Sequence, residues 1–292
     1  MQKPIKIKSG YFKSFDDTEI YYEVRGEGKP LVFAYGIGCL FNHWLYQTKY
    51  FPHKYQTILF DYRSHQKSKI PEGHQNLDIE SLAKDMLSLL KHLEINTAGF
   101  IGHSFGAQVL IEAYHQAPEV FSNMTFINGF VSNPLKGMFG NDASSKIFSF
   151  IKETNSLLPE SSRFLWSTVI SSPISVPVMG MLGGFNLNLT SYKDMEIYTN
   201  GISSIDLKSF LSLFEGMTLY DGTKYLKDIK VPTLIISGEK DSVTPLKHQR
   251  SMHNRIPNSE LTIMPYGSHC TQLDLPDYVN LRIEKFLDSH EY

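Results

Sequence analysis

Residues 98–116 read Ala98-Gly-Phe-Ile-Gly102-His-Ser104-Phe-Gly106-Ala-Gln-Val-Leu-Ile-Glu-Ala-Tyr-His-Gln116. A short apolar run, Ala98 to Gly102, reads as a buried strand, and Phe105 to Gln116 reads as the helix that follows it. Between them stands Gly102-His103-Ser104-Phe105-Gly106, the G-x-S-x-G pattern of a nucleophile elbow. A serine on so tight a turn adopts strained backbone angles, and the residues two away on each side must be small. The turn lifts the hydroxyl clear of the sheet and aims a helix N-terminus at the reaction centre. The pattern alone is common. The strand before it and the helix after it give it meaning.

The same rhythm extends outward. Upstream, residues 10–15 and 19–25 read as a hairpin with Asp16-Asp17 at its turn. Strands follow at Leu31–Tyr35 and Thr57–Asp61, with a helix over about 41–51 between them. Asp78 suits an N-cap, and Leu82, Met86, Leu89, Leu90 and Leu93 fall on one helical face. Downstream, Met124–Asn128, Pro232–Ile236 and Glu260–Met264 read as strands, with helices near 246–255 and 276–289. Strands alternating with helices predict an α/β fold: a mostly parallel sheet with helices on both faces. The alternation stops between about Pro134 and Asp228, where Ile147, Phe150, Ile151 and Leu158, then Leu207, Phe210, Leu211 and Phe214, keep helical spacing around a Pro- and Gly-rich stretch, Ser171 to Gly184. The expected organisation is a core of 1–133 and 229–292 with a helical cap inserted at 134–228.

Serine needs a base to become a nucleophile, and the base needs an acid that fixes its tautomer. Asp241 follows the strand at 232–236 through Ser237-Gly-Glu-Lys240, and His269 follows the strand ending at Met264 through Pro265-Tyr-Gly-Ser268. Both stand past the C-terminal ends of strands, where open α/β sheets bind ligands. Either residue alone reads equally well as a turn aspartate or a surface histidine; the ordered set Ser104, Asp241, His269 makes a triad. Near Asn128 no carboxylate offers an alternative acid. An oxyanion hole needs backbone N–H donors, and the expected two are Phe105, after the nucleophile, and Ile37 in the turn Gly36-Ile37-Gly38.

With these residues in place, the chain resembles the α/β-hydrolase superfamily over nearly its whole length. Leu31–Gly38 matches that family's apolar strand and H-G-x-G turn, and Trp44 stands where a tryptophan often follows. Ile58–Ser68 resembles its D-x-R-G-x-G-x-S segment, Ser237–Pro245 its G-x-x-D-x-x-V-P segment and Gly267–His269 its G-x-H turn. Tyr35 replaces the usual histidine, Ser64 and Gln66 replace two usual glycines, and Cys270 stands where carbon–carbon bond hydrolases typically carry tryptophan. The resemblance implies a triad, a lid and hydrolysis of esters or related bonds. It leaves open a lactonase, a carbon–carbon bond hydrolase, or a sensing protein with slow turnover of the kind found among butenolide receptors.

Composition narrows the classes. The 292 residues carry a formal net charge of −2 with mixed signs, which offers no basic stripe for nucleic acid. Two cysteines, Cys39 and Cys270, form no disulfide framework and fit a reducing compartment, so a cytoplasmic location is expected. The lysine-dotted Met1–Phe12 does not read as a signal peptide, and no apolar run suits a membrane span. The histidines form no H-E-x-x-H motif and no tight Cys/His cluster, so neither metal nor cofactor is expected. His65, Arg63 and His103 read as packing residues. Within 134–228, Phe139, Phe148, Phe150, Phe164, Trp166, Met179, Met181, Leu182 and Phe185 supply both cap packing and an apolar pocket above Ser104, predicting a mainly hydrophobic small ester-like substrate.

Overall fold

The computed structural model describes residues 4–135, 138, 143–172 and 174–292, with the backbone alone at 143, 179 and 197. An antiparallel hairpin opens the chain, β1 (Ile7–Lys13) and β2 (Glu19–Arg25), and Asp17 takes φ 63° at its turn. Then follow β3 (Lys29–Ala34), the short helix α1 (Gln47–Tyr50), β4 (Tyr55–Phe60), α2 (Ile79–His92), β5 (Ala98–His103), α3 (Gly106–Gln116) and β6 (Phe121–Ile127). Instead of one continuous helix over 41–51, the chain forms α1 flanked by 3-10 turns at Phe41–Trp44 and Phe51–His53. The N–H groups of Leu45 and Lys49 bond carbonyls three residues back, Asn42 O and Tyr46 O, which is the 3-10 rather than the α-helical pattern, and Pro52 lacks the N–H that would carry α1 past Phe51.

Between β6 and β7 the described chain runs through α4 (Ala143–Leu157), α5 (Pro159–Ile170), α6 (Ser175–Met181), α7 (Tyr192–Ser203) and α8 (Leu207–Leu219). Helix α6 lies inside the Pro/Gly-rich stretch; its Pro177 occupies the first turn, where no intrahelical partner is lost. The termini of α7 and α8 are set by Ser191 and Asp206, whose side chains accept from the N–H groups of Asp194 and Ser209. The chain closes with β7 (Thr233–Gly238), α9 (Lys247–His253), β8 (Ser259–Met264), α10 (Thr271–Asp274) and α11 (Pro276–Ser289).

The sheet has eight strands in the order β1-β2-β4-β3-β5-β6-β7-β8. The β1–β2 and β2–β4 pairs are antiparallel, and every pair from β4–β3 to β7–β8 is parallel. Strands β3, β5, β6 and β7 are buried nearly throughout, as a parallel sheet covered by helices on both faces requires. Helix α2 is capped by Asp78, whose carboxylate accepts from Ser81 N–H at 2.8 Å, and it buries Leu82, Met86, Leu89 and Leu90.

Parallel strands end at one edge of the sheet. Consequently the residues that follow β3, β4, β5, β6, β7 and β8 emerge together, however far apart they lie in the chain. One buried ion cluster fixes that edge from below. Arg63 donates to both oxygens of Asp85 on α2, at 2.8 and 2.6 Å, and to Asp16 of the hairpin turn at 2.9 Å. Arg63 is therefore a structural clamp on the loop after β4.

Candidate active site

Ser104 follows β5 with φ 53°, the left-handed region that side-chain-bearing residues avoid. Its N–H donates to Ile127 O of β6 at 3.0 Å, which holds the turn. A Cβ at Gly106 would collide with the backbone carbonyl of Ala34, and one at Gly102 would come within 2.8 Å of Leu110 Cδ1. Both glycines are steric requirements of α3 starting close against β3 and β5.

His269 follows β8, and its Nε2 lies 2.9 Å from Ser104 Oγ. Its Nδ1 lies 3.0 Å from Asp241 Oδ2. The Asp241 carboxylate also accepts from the N–H groups of Val243 (2.9 Å) and Thr244 (2.8 Å), while Thr244 Oγ1 stands 2.7 Å from Oδ2. These contacts place the Nδ1 proton toward Asp241 and leave the Nε2 lone pair toward the serine. All three side chains are buried, so a charge on any of them meets a low dielectric.

The turn after β3 brings Ile37 into the same cavity. Among the described residues, neither Ile37 N–H nor Phe105 N–H is engaged by a protein acceptor. The turn itself is held from behind by His65, whose Nδ1–H donates to Arg63 O at 3.1 Å and whose Nε2 accepts from Gly38 N–H at 3.0 Å. Burial pushes His65 down to about 4, which keeps the neutral, accepting form. Gly38 (φ 79°) lies so close under α7 that a Cβ would sit 2.9 Å from Ile202. His65 therefore packs a loop, as its sequence context suggests, but the loop is the one that carries a predicted oxyanion donor.

Asn128 is the residue that the sequence conceals. It follows β6 at φ 47° and is completely buried. Its Nδ2 donates to Ser268 O (3.0 Å) and His269 O (2.6 Å), and its Oδ1 accepts from Gly238 N–H at 2.7 Å. One amide thus ties together the ends of β6 and β7 and the loop that carries His269. Asp274 grips the same loop, accepting from Ser268 N–H at 2.6 Å and, on its other oxygen, from Asn186 N–H (2.9 Å) and Thr190 Oγ1 (2.5 Å). The N–H groups of His269 and Cys270 donate to Gly183 O and Gly184 O, both at 3.1 Å. The segment after α6 is therefore bonded directly to the histidine loop.

The rings of His43, His103 and His269 form a row, with centroids 4.4 and 4.8 Å apart. Burial holds His43 near 3 and His103 well below its ordinary value. His103 Nε2–H donates to His269 O at 2.9 Å. Cys39 and Cys270 are free and buried, and burial raises both thiols, Cys39 to about 12. Neither is a reactive thiolate near neutral pH.

Tyr35, where the resemblance expects a histidine, turns its hydroxyl to the start of the loop after β4. Its hydroxyl donates to Asp61 Oδ1 and accepts from Tyr62 N–H, both at 3.1 Å. Ser64 and Gln66 replace glycines yet keep φ 64° and 44°, so the loop holds its left-handed turns at a cost of about 1–2 kcal/mol per residue. Gln66 Nε2 in turn reaches Ser204 Oγ at 3.0 Å, bracing the end of α7.

A cavity of about 200 Å3 opens above Ser104 and His269. Its walls are Ile37, Phe130, Met138, Tyr198, Ile202, Phe210, Phe214, Met217 and Val243, with Phe185 and Cys270. Of the aromatic and Met/Leu residues expected to supply it from 134–228, Phe185 alone among the described ones lines this cavity. Phe150 and Trp166 line a separate cavity, Phe148 borders another, and Phe164, Met181 and Leu182 are exposed. Phe139 and the side chain of Met179 lie outside the described residues. The difference has a geometric cause: α7 and α8 supply the cavity wall through Tyr198, Ile202, Phe210, Phe214 and Met217, while α6 packs Val176 beside Phe185, Cys270 and Leu273. Among the described residues no group of three or more His, Cys, Asp or Glu is placed to hold a metal, and no helix is long and apolar enough to cross a membrane.

A family model described as the alpha/beta hydrolase fold matches residues 29–276. The chain is 24% identical over 277 residues to the dihydrolipoyllysine-residue acetyltransferase component of the acetoin cleaving system of Pseudomonas putida, a match that covers 92% of this chain and 66% of that longer protein. It is 24% identical over 272 residues to 3-oxoadipate enol-lactonase 2 of Acinetobacter baylyi, covering 92% of each. Its fold is similar to that of a thermophilic esterase from Thermogutta terrifontis, with a TM-score of 0.79 at 18% identity over 98% of this chain and 100% of that one.

Proposed function

This chain belongs to the α/β-hydrolase fold family, and we propose that within it the protein is a serine hydrolase of small, mainly apolar carboxylic esters or related acyl compounds. The observation that carries the reading is the unbroken line Ser104 Oγ–His269 Nε2 and His269 Nδ1–Asp241, at 2.9 and 3.0 Å, on the floor of an apolar cavity. Ser104 Oγ attacks the acyl carbonyl while His269 Nε2 takes its proton. Asp241 holds the ring and stabilises the imidazolium. The tetrahedral oxyanion accepts from the N–H groups of Ile37 and Phe105, a contribution worth roughly 10²–10³ in rate per donor in comparable sites. His269 returns the proton to the departing alcohol. Water, deprotonated by the same imidazole, then releases the acid and restores the serine. Residues 134–228 act as the cap, and Phe210, Phe214 and Tyr198 give the acyl or alkyl group an apolar wall.

The test is hydrolysis of p-nitrophenyl esters from acetate to palmitate, with Ser104→Ala as control. The reading expects turnover that vanishes in the control and an optimum beyond acetate. Turnover that survives Ser104→Ala would overturn it. The likeness to an enol-lactonase favours cyclic esters as a second reading, because the same chemistry opens a lactone. Higher kcat/KM on a lactone panel than on open-chain esters would select it.

A further inference from the structure

The acyl-transfer steps above leave one buried hydroxyl unused. Thr244 stands on the loop between β7 and α9 and is 1% exposed. Its Oγ1 lies 2.7 Å from Asp241 Oδ2, 3.2 Å from His269 Nδ1 and 2.9 Å from Asn128 O. With 3.0 Å between Nδ1 and Oδ2, base, acid and hydroxyl close a triangle. Few protons are available to fill it. Neutral His269 has one to place at Nδ1, with two acceptors in reach, Oδ2 and Oγ1. The hydroxyl also has one, and its choices are Oδ2 and Asn128 O. Asp241 Oδ1 is occupied from elsewhere, by the N–H groups of Val243 and Thr244. Oδ2 is therefore the oxygen that the base and the hydroxyl share. The turn that lets Asp241 accept from Thr244 N–H also brings the side chain of the same residue back to the carboxylate.

We propose that Thr244 is a positioning residue of the triad: its hydroxyl steadies the His269 ring at Nδ1 and, by donating to Asp241 Oδ2, limits the carboxylate's pull on an imidazolium. The inference rests on the serine-hydrolase reading of Ser104, His269 and Asp241. Without the hydroxyl, Nδ1–H keeps one acceptor, and the ring loses one of the two contacts that aim Nε2 at Ser104. The carboxylate loses a donor at Oδ2 and holds the imidazolium more firmly, so the base stays protonated to higher pH. A threonine that only packed, or only served Asn128 O, would change stability and neither of these. The other titratable groups around the triad are common to every variant. Burial holds His43 after β3 near 3, His103 on β5 well below its ordinary value and His248 on α9 below its own. It holds the Cys270 thiol and the Tyr198 phenol of α7 well above theirs. Asp274 of α10 bonds Ser268 and Thr190.

The experiment compares the full-length parent with Thr244→Val, which removes the hydroxyl and keeps the shape, and Thr244→Ser, which keeps the hydroxyl and loses a methyl. Hydrolysis of p-nitrophenyl butyrate is followed from about pH 5 to 9, with urea unfolding beside it. Thr244→Val is expected to lower kcat roughly 10-fold, the value of one hydrogen bond to a charged group, with KM within about twofold. Its pH of half-maximal kcat/KM should rise by about 0.5–1 unit. Thr244→Ser should keep kcat within about threefold and keep the parent's half-maximal pH, whatever it loses in urea. Where valine does not fold, Thr244→Ala, which leaves room for a water at Asn128 O, carries the same expectations. A valine variant weakened in urea but unchanged in kcat and pH profile would overturn the proposal, leaving Thr244 a structural bond to Asn128. A serine variant that falls as far as valine would overturn it too, since the methyl would then be what matters. Fluorophosphonate labelling separates the two levels. No Ser104 adduct in the parent would sink the serine-hydrolase reading itself, whereas equal labelling rates in parent and Thr244→Val would sink this inference alone.

Discussion

Asn128→Ala is the substitution that most sharply separates this description from a list of three catalytic side chains. The alanine leaves Gly238 N–H, which Oδ1 accepts at 2.7 Å, without a partner at the end of a buried strand. The two carbonyls that Nδ2 serves keep other donors: Ser268 O retains Thr271 Oγ1 at 2.6 Å, and His269 O retains His103 Nε2 at 2.9 Å. One orphaned donor, two weakened carbonyls and an alanine forced to φ 47° together predict a loss of about 3–5 kcal/mol. The histidine loop also loses its tie to β6, and a misplacement near 1 Å costs roughly 10²-fold in kcat. Urea unfolding gives the first quantity and p-nitrophenyl ester turnover the second. Asn128→Asp sharpens the test. Its carboxylate still accepts from Gly238 but has no proton for the carbonyls, so it regains stability only when protonated. The carboxyl's folded-state pKa is thereby raised, and its stability should fall as pH rises. An Asn128→Ala protein within about 0.5 kcal/mol of the parent, with unchanged kcat, would refute the reasoning.

Three further outcomes are expected. His65 sits near 4 in the fold against an ordinary 6.5, so between those values the unfolded chain holds a proton that the native chain refuses. Stability should therefore fall as pH drops from 6.5 toward 4, by roughly 3 kcal/mol from this residue, and His65→Gln should flatten urea-unfolding profiles across that window. Phe210→Ala should lengthen the Ser104 cavity and move the chain-length optimum to longer esters, with kcat/KM rising about fourfold for each added methylene that becomes buried. Gly106→Ala should abolish turnover and cost about 3 kcal/mol or more in thermal or urea unfolding, because its Cβ meets the Ala34 carbonyl, which belongs to a central strand.

The sheet and the three candidate side chains were legible because each depends on a local pattern. Gly102–Gly106 encodes its own turn, and Asp241 and His269 each stand a few residues past an apolar run. Parallel strands do the rest, since they bring those loop positions to one edge. The cavity wall was not legible. Helices α4, α5 and α8 all carry apolar faces, and periodicity says that a helix has such a face without saying what it meets. Phe164 and Phe210 look alike in sequence; one is 68% exposed and the other lines the cavity. Asn128 escaped because its signal is a lone amide after a strand, and its three acceptors arrive from residues 268–271. The same holds for His65, whose role depends on a turn 27 residues away.

The most direct test of the central claim is where a fluorophosphonate attaches. The probe reports an activated serine independently of substrate preference, and digestion followed by mass spectrometry locates the adduct. The account predicts one adduct, on Ser104, formed far more slowly in His269→Gln and absent in Ser104→Ala. No adduct in the parent protein, or labelling that persists in Ser104→Ala, would contradict it.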